Sequence, residues 1–136
     1  MKPLALITGV GPGTGASVAR RFSAAGYRTA LLARNEERLN ELASELPDSK
    51  AIVCDVTDSE ALVRAVEAAG RVDVVVHNAV GGGWGTFSEI EPEMLENNFQ
   101  VNVMALLHLA RLTTPSMVQA GTVSYTHLTL PTIYSV

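Results

Sequence analysis

Cysteine is nearly absent from this chain. The single Cys54 excludes an internal disulfide, and its place at the end of an apolar run reads as a small buried residue, not a reactive thiol. Basic charge is scarce as well. Ten Lys plus Arg against 14 Asp plus Glu give a net charge of −4, which argues against nucleic acid or an anionic membrane as partner. No apolar run approaches the length of a membrane span. Only Leu4 to Ile7 are apolar before Thr8-Gly9, too little for a signal peptide. Internal repeats and low-complexity tracts are also missing. These absences lead to the expectation of a soluble cytoplasmic protein. The 136 residues allow one domain at most, and 47% hydrophobic with 18% charged residues is a globular composition.

What is present is an alternation of strands and helices. Leu4–Thr8 is a short, continuously apolar run, as in a strand covered on both faces. Thr14–Ala25 has helical spacing, with Val18, Ala19 and Phe22 on one face and Gly26 as a stop. Tyr27–Ala33 reads as a second strand. Glu36–Leu46 is an amphipathic helix carrying Leu39, Leu42 and Leu46, stopped at Pro47. Ala51–Cys54 is a third strand. Asp58 reads as the N-cap of a helix running to about Ala69. Val72–His77 is a fourth strand, followed by the flexible loop Gly81-Gly82-Gly83-Trp84-Gly85. Pro92 opens a short helix ending near Asn98, and Gln100–Val118 is a longer apolar helix. Four βα units with short connections predict an α/β fold with a doubly wound parallel sheet. In such sheets ligands sit beyond the carboxyl ends of the strands.

The chemistry-bearing residues fall at those ends. Thr8-Gly9-Val-Gly11-Pro-Gly13-Thr14-Gly15 joins the first strand to the first helix. A pyrophosphate needs backbone amides aimed at it and no side chain in the way, and a helix N-terminus adds a favourable dipole. Two registers fit: Gly11, Gly13 and Ala16 match G-x-G-x-x-A, and Gly9, Gly13 and Gly15 match T-G-x-x-x-G-x-G.

The second register, with Thr8 before it, resembles the short-chain dehydrogenase/reductase family, and the resemblance spans residues 4 to about 122. It implies a Rossmann-like fold in which the glycine turn, Thr14 included, binds a nicotinamide dinucleotide. Asp55-Val56 resembles the family's adenine-contacting Asp-Val pair, although Asp55-Val56-Thr57-Asp58 is also good capping chemistry. His77-Asn78-Ala79-Val80 resembles the family's Asn-Asn-Ala-Gly motif. Asn78 and Ala79 match, whereas His77 and Val80 depart. Valine disfavours positive φ, so Gly81 is expected to take the flexible role. His77 reads as a hydrogen-bonded residue at a strand end, and no metal-ligand spacing surrounds it. Asn102 matches the family's helix-bending asparagine, which supports a proton-relay water; taken bare, it is a local hydrogen bonder. NAD-specific sites place a carboxylate about twenty residues past the glycine turn. Here Ala33-Arg34-Asn35 stand there, and a guanidinium grips a 2′-phosphate. NADP(H) is therefore favoured over NAD(H).

The family's reaction moves a hydride between nicotinamide and a small carbonyl or alcohol. It uses a serine and a Tyr-x-x-x-Lys pair. The only lysines here are Lys2 and Lys50, and the fourth residue after Tyr125 is Thr129. Val123–Val136 resembles a translated sequencing adapter and is set apart as a non-native tail, leaving residues 1–122 as an incomplete dinucleotide-binding domain truncated after about four strands. Strand four would then be an exposed apolar edge, with marginal stability as the consequence. The leading reading is the cofactor-binding part of an NADP(H)-dependent reductase, a homo-oligomer when full length. The competing reading is a non-catalytic dinucleotide-binding or sensor module. A methyltransferase would want an acid where Ala33-Arg34 stand.

Overall fold

Leu4-Ala5-Leu6-Ile7-Thr8 has no polar face, and every one of its residues is buried. A strand of this kind is stable only between two layers. The computed structural model, which describes residues 1–121 and the backbone of 125–127, supplies both layers. The elements are β1 (Leu4–Thr8), α1 (Thr14–Ala24), β2 (Arg28–Ala33), α2 (Glu36–Glu45), β3 (Ser49–Val53), α3 (Ser59–Ala69), β4 (Val74–His77), α4 (Pro92–Phe99), a π-helical turn (Gln100–Met104), α5 (Ala105–Gln119) and β5 (Tyr125–His127). All strand pairings are parallel, and the order is β3-β2-β1-β4-β5.

The period of two along each strand sorts the core into two halves. Leu4, Leu6, Ala30, Leu32 and Val75 join Leu62 and Ala65 of α3 with Ala105, Leu109 and Met117 of α5. Ala5, Ile7, Leu31 and Val76 join Ala16 and Ala19 of α1 with Leu39 and Leu42 of α2. The Rossmann-like α/β architecture expected from the sequence is the one observed.

Capping chemistry sets the helix starts. Asn35 Oδ1 accepts from the Arg38 amide at 3.0 Å, and Asp58 Oδ1 accepts from the Ala61 amide at 3.0 Å. Pro92 occupies the first turn of α4.

Two expectations change. The sheet does not end at β4: Val75, Val76 and His77 pair with Tyr125, Thr126 and His127, inside the segment set apart as a tail. An apolar parallel edge gains ladder hydrogen bonds from any extended neighbour, which removes the exposed edge expected for strand four. The remaining residues of that tail, with Ser124 and Thr129, lie outside the described ones. Nor is Gln100–Val118 one regular helix, because its first turn is π-helical and α4 runs directly into it. No helix of the described residues is long and apolar enough to cross a membrane.

Candidate functional site

The carboxyl ends of β1 to β4 open into one cleft of about 890 Å³. Gly9, Gly11, Gly13, Thr14, Gly15, Arg34, Asn35, Asp55, Val56, Asn78 and Ala79 all line it. Asn102 does not.

The four glycines of the first turn divide into two kinds. Gly9 has φ +68°, and a Cβ on it would stand 2.4 Å from the Ala79 amide nitrogen. A Cβ on Gly15 would stand 2.4 Å from the Gly9 carbonyl oxygen. These two let the turn close against the end of β4. Gly11 and Gly13 have nothing within 4 Å of a built Cβ, so they leave open space towards the cleft. No side chain caps α1, whose N-cap is Gly13. An uncapped helix start beside open glycines is suited to a phosphate group.

Asn78 holds the turn from the opposite side, its Nδ2 donating to the Gly9 carbonyl at 2.9 Å. The Ala79 amide donates to Thr8 Oγ1 at 3.2 Å. His77 is fully buried, with Nδ1 2.8 Å from Thr8 Oγ1 and Nε2 2.8 Å from the Val101 carbonyl oxygen. It is the hydrogen-bonded strand-end residue expected from the sequence. Val80 has no positive φ, and neither has Gly81. Gly81 is needed for close packing instead, because a Cβ there would lie 3.0 Å from Asn98 Oδ1 and 3.2 Å from Asn98 Cα.

Asn102 lies within the π-helical turn. Its Oδ1 accepts from the Gly81 amide at 3.1 Å, and its Nδ2 donates to the Gly81 carbonyl at 3.0 Å. Both ends of the amide therefore hold the loop after β4, at Gly81, which lines the cleft.

The electrostatics at the ends of β2 and β3 are uneven. Arg34 and Arg38 both line the cleft, and neither has an ion-pair partner among the described residues. Arg38 went unnoticed in the sequence; the signal was its place one turn after Arg34, on the first turn of α2. Asp55 Oδ1 accepts from the Thr57 amide at 2.9 Å and its hydroxyl at 2.8 Å. These bonds, with the nearby Arg34 charge, hold the Asp55 carboxyl below its ordinary value. The helix cap falls to Asp58, so one Asp55 oxygen stays clear of the turn. Cys54, also in the lining, is 3% exposed, and burial together with the Asp55 charge pushes its thiol up to about 11. That thiol is no nucleophile at neutral pH. Among the described residues no His, Cys, Asp and Glu cluster could hold a metal ion.

The short chain dehydrogenase family model matches residues 3–124. The chain belongs to that family. It is 40% identical over 129 residues to a Streptomyces violaceoruber protein named as a ketoacyl reductase of granaticin polyketide synthase, covering 88% of this chain and 46% of that one. A short-chain dehydrogenase from Sphingobium yanoikuyae in complex with NADPH superimposes with a TM-score of 0.82 at 33% identity, covering 90% of this chain and 52% of its own. A 3-ketoacyl-(acyl-carrier-protein) reductase from Brucella melitensis complexed with NADH gives 0.81 at 29%, covering 88% and 51%. The chain spans about half the length of the curated relatives it matches.

Proposed function

We propose that the cleft binds NADP(H) in preference to NAD(H), and that the whole protein is an oxidoreductase of small carbonyls or alcohols. One observation carries the preference. Arg34, just after β2, and Arg38, on the first turn of α2, have no ion-pair partner among the described residues, and an NAD site would place a carboxylate at the end of β2. A 2′-phosphate can accept charge-assisted hydrogen bonds from two guanidinium groups, which a bare ribose hydroxyl cannot.

The remaining residues suit the rest of such a ligand. Open Gly11 and Gly13 at the start of α1 leave room for a pyrophosphate. The free oxygen of Asp55 is placed to accept from an adenine amino group, beside the apolar Val56. Asn78 and Asn102 fix the loop after β4 on the remaining side. When bound, the nicotinamide supplies or accepts a hydride. This chain's residues hold the cofactor and orient it.

Proton transfer is another matter. Lys2 pairs with Asp48 at 2.6 Å, Lys50 donates to the Ala68 carbonyl at 2.8 Å, and neither lines the cleft. A second reading is a non-catalytic dinucleotide-binding or sensor module. The family resemblance and the composition support a cytoplasmic setting.

A homo-oligomer is part of the same proposal. Leu95, Phe99, Val103 and Leu107 recur every fourth residue along α4, the π-helical turn and α5, and each is about half exposed.

Fluorescence titration with NADPH and NADH, on the unaltered protein and on Arg34→Ala, tests the reading. NADPH should bind at least about tenfold tighter than NADH, and Arg34→Ala should narrow that difference. Equal affinities in the unaltered protein would overturn the preference.

A further inference from the structure

The His77 ring bonds to two separate pieces of the chain, and the chemistry of its partners fixes the direction of each bond. A carbonyl oxygen only accepts, so the Nε2 that faces the Val101 carbonyl across 2.8 Å carries a proton. In the neutral ring Nδ1 is then an acceptor, and the Thr8 hydroxyl donates to it across 2.8 Å. With its proton so directed, Thr8 Oγ1 turns a lone pair to the Ala79 amide, 3.2 Å away. A directed relay results, from the Ala79 amide through Thr8 and His77 to the Val101 carbonyl.

The ends of this relay are the two lips of the cleft. Thr8 directly precedes Gly9, whose left-handed backbone begins the glycine turn. Val101 sits in the π-helical turn beside Asn102, whose amide grips both backbone groups of Gly81. The π-helical turn is what makes room for the ring to reach a helix carbonyl, because such turns perturb the regular bonding ladder. Ring geometry matters here. An asparagine at 77 ends at about the position of Nδ1 and reaches only Thr8. A glutamine extends to about the position of Nε2 and reaches only Val101. Histidine spans both.

We propose that His77 is a positioning residue that sets the spacing between the glycine turn and the π-helical turn carrying Asn102. The consequence for cofactor binding rests on the dinucleotide reading above; the linkage itself does not.

Amide hydrogen exchange by NMR on the full chain, with His77→Asn and His77→Gln, separates the two halves of the relay. In His77→Asn the Ala79 amide should stay protected while the Gly81 amide exchanges about tenfold faster or more. In His77→Gln the pattern should reverse. A residue that merely fills space would speed both amides alike, together with the rest of the sheet, and that result would overturn the proposal. Should either variant fail to fold, the ring nitrogens of the unaltered protein decide. An Nε2–H tautomer with a slowly exchanging proton supports the relay, and an Nδ1–H tautomer or a freely exchanging ring proton overturns it. Absence of NADPH binding in the unaltered protein would sink the cofactor reading, while the exchange pattern would still decide the role of His77.

Discussion

Gly15 is packed against Gly9, so that a Cβ on Gly15 would lie 2.4 Å from the Gly9 carbonyl oxygen and 3.0 Å from Asn78 Nδ2. Backbone atoms cannot yield as a flexible side chain does. Gly15→Ala and Gly9→Ala should therefore each lower stability by more than about 2 kcal/mol. Gly11→Ala, built into open space, should leave the melting temperature nearly unchanged and weaken NADPH binding. Thermal melts and fluorescence titrations on the three variants check this. Similar melting losses in all three would refute the division of the turn into closing and ligand-facing glycines.

Arg38 should act with Arg34 on the 2′-phosphate. Loss of one charge-assisted bond corresponds to about a tenfold weaker NADPH complex in Arg38→Ala, with NADH affinity unchanged. Isothermal titration with both nucleotides measures it. If affinity for both nucleotides falls equally, Arg38 serves the fold or the pyrophosphate instead.

Asp55 makes stability depend on acid. Its folded carboxyl titrates below its ordinary value because Thr57 donates to it twice. The ionised form is therefore favoured by folding. This contribution is in place above the ordinary carboxylate value, near pH 4, and is lost as pH falls through the lowered one. Asp55→Asn should flatten the fall in melting temperature below about pH 4. An unaltered acid limb in that variant would show that other carboxylates carry it.

The apolar stripe on α4 and α5 should mediate self-association. Phe99 and Leu107 are 54% and 48% exposed. Sedimentation velocity on Leu107→Glu should show smaller species than the unaltered chain at equal concentration. An unaltered chain that stays monomeric over a wide concentration range would remove the stripe as an interface.

Local patterns were legible and distant contacts were not. The continuous buried run Leu4–Thr8, the cap at Asp58 and the proline at the start of α4 depend on residues within a turn or two, and all stand where the sequence put them. The bonds of His77 to Thr8 and Val101 join residues 69 and 24 positions apart, so no periodicity announces them. The π-helical turn was visible only as an asparagine in an apolar stretch, because the groups bonded to it, Gly81 and His77, lie far back in the chain. Arg38 shares the first turn of α2 with Glu36 and Glu37, a composition that by itself points to a solvated surface. The pairing of Tyr125–His127 with β4 joins segments far apart in the chain, so no local pattern announces it.

The central place of β1 has a consequence for synthesis. It pairs with β2 through Leu4 and Arg28, but its other edge waits for Val74 to His77. At ribosomal rates of about 5–20 residues per second, that edge stands open for roughly 3–13 s after β1 is made. Over that interval a fully apolar strand has one half of its ladder unfilled and nothing of its own chain to fill it. Until β4 arrives, that open edge is a template for pairing with another chain.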